Sequence, residues 1–123
     1  MSPQLRVLLV EDVLIAQNVA TKILQKLGHK VDVASDGGEA VHLFEKKNYD
    51  LIFMDIALPT QDGFETTRQI RELESDEFHT PIVALSANYD QSYKAACLNV
   101  GMDEFLSKPL TKEKVLTIVQ RFF

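Results

Sequence analysis

Short apolar runs alternating with amphipathic stretches of helical period constrain this 123-residue chain more than any other feature. The first run, Arg6-Val7-Leu8-Leu9-Val10, is halted by Glu11-Asp12, and four consecutive apolar residues suit a strand covered on both faces. From Leu14 to Leu27 the apolar positions Ala16, Ala20, Ile23, Leu24 and Leu27 follow helical spacing, and Gly28 supplies the stop. The pattern then predicts strands at Val31 to Ala34, Leu51 to Met54, Ile82 to Leu85 and Glu104 to Ser107. Helices are predicted over Gly38 to Lys47, Gly63 to Leu73, Gln91 to Leu98 and Lys112 to Phe122. Buried strands alternating with amphipathic helices call for a parallel sheet with helices on both faces and right-handed crossovers. The expected fold class is α/β, doubly wound, with five strands and five helices in one domain, residues 1–123.

Composition narrows the function. Lys and Arg number 13 against 18 Asp and Glu, a net charge of −5, which argues against nucleic acid as a partner. No apolar run exceeds four residues, so no membrane contact by this module is expected. One cysteine, Cys97, permits no internal disulfide, and a reduced, cytoplasmic setting is expected. His29, His42 and His79 lack metal-ligand spacing and read as solvated, Cys97 as packed against the sheet, and Phe53 and Met54 as core.

In a doubly wound sheet the binding crevice lies outside the carboxyl ends of the strands, where strand order reverses. Four of the five predicted strands end in residues suited to phosphate or metal chemistry: Glu11-Asp12, Asp55, Ser86 and Lys108-Pro109. Each alone has a plain reading, as a solvated loop or cap, a loop residue before a turn at Pro59, a helix cap and a surface lysine. Together, at one end of one sheet, those readings require four coincidences. Three carboxylates in one crevice repel unless a cation joins them, and an all-oxygen set with few protein groups suits Mg²⁺ better than a caged Ca²⁺. Ser86 can donate to one phosphate oxygen and Lys108 can neutralise another.

At these residues the chain resembles the receiver domain of two-component response regulators. Leu8-Leu9-Val10-Glu11-Asp12 is similar to the family's first strand and acidic pair. Leu51 to Pro59, followed by Asp62-Gly63, is similar to the phospho-acceptor strand and loop. Pro81 to Ala87 resembles the fourth strand with its switch hydroxyl, and Phe105-Leu106-Ser107-Lys108-Pro109 the fifth. Leu27-Gly28-His29, Gly37-Gly38-Glu39-Ala40 and Gly101-Met102-Asp103 look most like receivers of hybrid sensor histidine kinases. The resemblance implies the flavodoxin-like strand order 2-1-3-4-5.

It also implies roles. Asp55 accepts a phosphoryl group from a partner phosphohistidine, carried by a histidine kinase or a histidine phosphotransfer domain. Asp12 and Asp55 bind Mg²⁺ directly, Glu11 through water, and Ala57 through its backbone carbonyl. Ser86 and Lys108 hold phosphate oxygens, and Lys108-Pro109 is expected to be a cis peptide. The chain is then no enzyme in its own right but a phospho-acceptor that promotes its own phosphorylation and dephosphorylation. Phosphorylation draws Ser86 toward the phosphate, turns Phe105 inward and alters a readout face of helix four, strand five and helix five, near Tyr93, Lys94, Phe105 and Lys112. A homodimer through that face stays open, as does the choice between a stand-alone regulator and the receiver part of a hybrid histidine kinase that begins upstream of Met1-Ser2-Pro3.

The sequence departs from the hybrid pattern at Val13 and Ala16, where asparagines are expected after the acidic pair. Ala57 and Asn88 occupy the positions that tune attack by water, and an intermediate phosphoryl lifetime is expected. A dehalogenase-type hydrolase wants a second aspartate where Ala57 stands. The acidic pair would repel the phosphate of a flavodoxin-type FMN carrier. An unphosphorylated docking module would have lost the acidic pair, the acceptor or the lysine.

Overall fold

The computed structural model describes residues 4–57, 62–75, 77–87 and 91–123. Five strands, β1 (Arg6–Val10), β2 (Lys30–Ala34), β3 (Leu51–Asp55), β4 (Ile82–Ser86) and β5 (Glu104–Ser107), alternate with five helices. The helices are α1 (Leu14–Lys26), α2 (Gly37–Lys46), α3 (Gly63–Leu73), α4 (Gln91–Asn99) and α5 (Lys112–Phe122). Every pairing is parallel and the order is β2-β1-β3-β4-β5. The chain therefore starts in the middle of the sheet, moves out to β2 and crosses back to β3, placing the reversal of strand order between β1 and β3.

Alternation along each strand decides the two layers. Leu8, Val10, Ile52, Met54, Ile82 and Ala84 face one side, where Ala40 of α2, Ile70 of α3 and Cys97 of α4 cover them. Val7, Leu9, Leu51, Phe53, Val83 and Leu85 face the other, under Ala20 and Leu24 of α1 and Val115 and Ile118 of α5. Both faces of β1 and β3 are thus buried, which is why their sequences run apolar without polar alternation. Cys97, Phe53 and Met54 are core residues, as expected.

Local chemistry sets the helix ends. Asp36, Asp62 and Thr111 accept from the backbone N–H groups of Glu39, Glu65 and Lys114, capping α2, α3 and α5. Gly28, at φ +94°, ends α1 as expected, its N–H bonded to Gln25 O while the His29 N–H returns to Leu24 O. That turn corrects the reading of His29 as solvated. The ring is carried under the start of β1, where it is buried and Nδ1 accepts from the Leu5 N–H at 3.1 Å. Burial holds its pKa below the usual 6.5. His42 is exposed, and His79 is largely exposed with Nε2 2.7 Å from Asp103 Oδ1.

Phe105 needs a second correction. The resemblance implies a Phe105 near the readout face that turns inward on phosphorylation, whereas its ring is already inside, 2% exposed, in the core with Ala84, Cys97 and Met102. The register pairs Phe105 with Ala84, so both side chains leave the same face of the sheet, and the small alanine leaves room for the ring. Among the described residues no helix is long and apolar enough to cross a membrane.

Candidate active site

The carboxyl ends of β1, β3, β4 and β5 bring the expected residues to one edge. Glu11 continues β1 by one backbone bond, its N–H donating to Ala34 O at 3.0 Å, and Asp55 is the last residue of β3. Lys108 follows β5 directly, and its N–H donates to Ser86 O at 2.8 Å, which ties the end of β5 to that of β4. One carboxylate oxygen from each of Glu11, Asp12 and Asp55 lies within 4.8 Å of the others. Glu11 and Asp55 are buried and Asp12 is exposed, so the cluster is walled on the protein side and open to solvent at Asp12.

A resident cation already balances part of this charge. Lys108 Nζ donates to Asp55 Oδ2 at 2.8 Å and lies 2.9 Å from Glu11 Oε1. Burial alone would lower the Lys108 pKa, but its hydrogen bonds to Asp55 and Glu11 outweigh this and hold it above its ordinary value. Glu11 is pushed upward, first by burial and then by the neighbouring Asp55, despite the lysine. Its remaining acceptors are used locally. Oε2 accepts from the Val13 N–H at 3.2 Å and the backbone carbonyl from Gln17 Nε2 at 2.6 Å. Asp55 Oδ1 accepts from the Ala57 N–H at 2.9 Å. Ser86 is buried at the end of β4, opposite Ser107 in register. The peptide bond between Lys108 and Pro109 is cis, as the resemblance implied.

Two groups beside the site escaped the sequence reading. Gln17 and Lys114 both sit on helices, and helical spacing shows which face a polar residue occupies but not which distant backbone atom it reaches. Asn88 and the Leu58-Pro59 turn lie outside the described residues.

Beside the carboxylates, α1 and the β5–α5 turn enclose an apolar groove of about 410 Å³, lined by Val13, Ile15, Val19, Leu85 and Pro109 and bordered by Glu11 and Lys108. Val13, Leu14, Ile15 and Val19 are exposed, Ile15 to 76%. Large apolar side chains contiguous at one rim are uncommon on a free surface and mark contact sites.

The chain is thus a doubly wound parallel-sheet domain that gathers three carboxylates, a buried hydroxyl and a lysine at the carboxyl ends of its strands. Residues 7–120 match the family model of the response regulator receiver domain, and the chain belongs to that family. It is 40% identical to the aerobic respiration control sensor protein ArcB of Escherichia coli, over 98% of this chain but only 15% of ArcB. The receiver domain of the sensor histidine kinase PA1611 from Pseudomonas aeruginosa superposes with a TM-score of 0.87 at 39% identity, covering 98% of each chain, and holds a magnesium ion in its active site cleft. The receiver domain of Ssk1 from Saccharomyces cerevisiae, crystallised with the histidine phosphotransfer protein Ypd1, gives a TM-score of 0.89 at 30% identity. That match covers 99% of this chain and 90% of the other. The protein is thus a receiver domain of two-component signalling, similar to those of hybrid histidine kinases.

Proposed function

We propose that residues 1–123 form a single cytoplasmic receiver domain that accepts a phosphoryl group on Asp55 from a phosphohistidine, in a Mg²⁺-dependent step. The observation that carries this reading is the Lys108 ammonium shared between Asp55 and Glu11, beside Asp12, at the switch point of the sheet. The donor set fits magnesium: three carboxylates gathered within 4.8 Å, all hard oxygen, with one side open to water. Asp12 and Asp55 would hold the ion directly, Glu11 through water, and Ala57 through its carbonyl. When bound, it would supply charge neutralisation for the phosphoryl oxygens.

Phosphoryl transfer asks the protein for positioning and electrostatics more than for covalent help. An Asp55 carboxylate oxygen forms the P–O bond as the P–N bond to imidazole breaks, and the nitrogen keeps the electron pair. Lys108 already touches Asp55 and shifts to a phosphoryl oxygen as the carboxylate becomes an acyl phosphate, while Ser86 donates to another. No separate general base is needed, because a carboxylate attacks without losing a proton. On this reading the chain is a phospho-acceptor rather than an enzyme in its own right.

The partner is a histidine kinase or histidine phosphotransfer domain, and the exposed apolar groove bordered by Glu11 and Lys108 is its seat, because it adjoins the carboxylates and carries the exposed Val13 and Ile15. Output passes through the outer surface of α4, β5 and α5, where Tyr93 and Lys112 are exposed. Phosphorylation biases that surface only through contacts that differ between the two states, Ser86 being the group that gains one. The match to a small part of ArcB supports a place within a hybrid histidine kinase.

Intact-mass spectrometry after incubation with Mg²⁺ and acetyl phosphate tests the reading. The expected result is one phosphoryl adduct that requires Mg²⁺, is lost in base and is absent from Asp55→Ala. No adduct, with no binding of beryllofluoride, would leave a docking module without the chemistry.

A further inference from the structure

The turn that presents Lys108 is pinned by a second lysine. Lys114 stands in the first turn of α5, where its backbone N–H donates to the capping Thr111 Oγ1 at 3.2 Å. Its ammonium folds back over the turn and donates to Ser107 O at 2.8 Å, Ser107 Oγ at 3.1 Å and Pro109 O at 3.0 Å. An ammonium has three N–H groups, and these three acceptors can engage all of them. The residues so held are the immediate neighbours of Lys108 on either side, while the Lys108 N–H is tied to Ser86 O. The backbone of Lys108 is therefore fixed from β4 and from both flanks, and one side chain supplies both flanks.

Among the described residues Lys114 has no carboxylate within ion-pair distance, so its charge is spent on backbone and hydroxyl oxygens. Charge-assisted bonds of this kind are stronger than neutral ones and hold a loop closely. Lys108 must keep an ammonium within hydrogen-bond reach of Asp55 from the end of a flexible four-carbon stem, and a moving base would spread its positions.

We propose that Lys114 is a positioning residue for phosphoryl acceptance: by clamping Ser107 and Pro109 it aims Lys108 between Asp55 and Glu11. Lys114 itself touches none of the reacting groups. The inference rests on the phospho-acceptor reading and adds a residue to it.

The test compares the intact protein with Lys114→Met, Lys114→Arg, Lys108→Ala and the Lys114→Met/Lys108→Ala double variant, using acetyl phosphate and Mg²⁺ and following the adduct by mass. Lys114→Met is expected to be phosphorylated about tenfold more slowly at saturating donor, because misplacing a charge-stabilising group costs rate. Lys114→Arg should recover most of that rate. In the Lys108→Ala background Lys114→Met should add less than about twofold, since an effect that acts through Lys108 disappears with it. Hydrogen exchange gives a readout free of phosphoryl chemistry: the Lys108 amide should exchange about tenfold faster in Lys114→Met, with the Leu9 amide unchanged. A wild-type rate and wild-type Lys108 exchange in Lys114→Met would overturn the proposal, as would an undiminished rate loss in the Lys108→Ala background. A wild type that takes no phosphoryl group overturns the underlying reading instead. Should Lys114→Met fail to fold, Lys114→Gln replaces it in every comparison.

Discussion

Lys108 and Asp55, 53 residues apart in sequence, meet at 2.8 Å through Nζ and Oδ2, and Glu11 shares the same ammonium at 2.9 Å. The lysine thus occupies a position that screens two buried carboxylates from each other. Removing it should expose that repulsion. Lys108→Ala is expected to lose about 2 kcal/mol of stability without divalent cations, because breaking a buried pair strands the remaining charges. Added Mg²⁺ should recover more stability in the variant than in the wild type, as thermal melts with and without the ion would show. The phosphorylation rate should fall about 100-fold, the usual scale for losing one charge-stabilising donor.

Gly63, at the start of α3, passes so close to the end of β3 that an added Cβ would lie 2.6 Å from Asp55 O and 2.8 Å from Ile56 Cα. Both obstacles are backbone and neither can swing aside. Gly63→Ala should therefore cost about 2 kcal/mol in urea denaturation, within the usual range for overpacking. Because the displaced backbone is that of Asp55, the proposed acceptor, phosphorylation should slow as well.

At the opposite end of the sheet, Arg71 gathers the α3 terminus, the entry to β4 and the turn before β5. Nε and Nη2 donate to Gly101 O at 3.0 and 2.8 Å, and Nη1 donates to Thr80 O at 2.8 Å and Glu74 Oε1 at 2.6 Å. Nη2 also reaches Asp103 Oδ2 at 2.9 Å. Lysine cannot reproduce that fork. Arg71→Lys should lower stability by about 2 kcal/mol and Arg71→Ala by about 3, read as shifts in the urea midpoint. Mg²⁺ affinity should not change, since the site lies at the other ends of the strands.

His29 gives stability a pH dependence of known sign. Its folded pKa lies below the ordinary 6.5 because burial disfavours the charged ring, and the neutral Nδ1 accepts the Leu5 N–H. The unfolded chain therefore binds the proton more readily than the folded one. The contribution is fully present above pH 6.5 and is lost as pH falls from there toward the folded pKa. Urea denaturation at pH 7.5, 6.5 and 5.5 should show wild type weakening across the lower interval. His29→Gln, which retains an acceptor without the titration, should weaken less.

Ile15 tests the proposed seat of the partner. Its side chain is exposed and lines the groove that Glu11 and Lys108 border. Ile15→Asp should slow transfer from a phosphorylated histidine phosphotransfer domain about tenfold, the scale of one lost apolar anchor meeting a buried charge. Phosphorylation by acetyl phosphate should be unchanged, and equal slowing with both donors would place the defect in the site rather than at the seat.

The sequence alone determined the order of elements and which residues end the strands. Apolar runs, helical periods and Gly28 act within a few residues of one another, so the predicted boundaries fall within about two residues of those observed. Glu11, Asp12, Asp55, Ser86 and Lys108 were legible because each adjoins a strand end, and a parallel sheet brings such ends to one edge. Tertiary structure alone decided what those groups touch. Phe105 points inward because its register sets it beside Ala84, and the buried His29 ring accepts the Leu5 N–H, 24 residues earlier in the chain. Arg71 finds Gly101 across 30 residues, and Lys114 reaches around Lys108 through a turn whose shape no local period describes. Periodicity assigns a residue to a face of its own element, whereas a hydrogen bond requires the relative placement of two elements, which only the packed sheet and its helices supply.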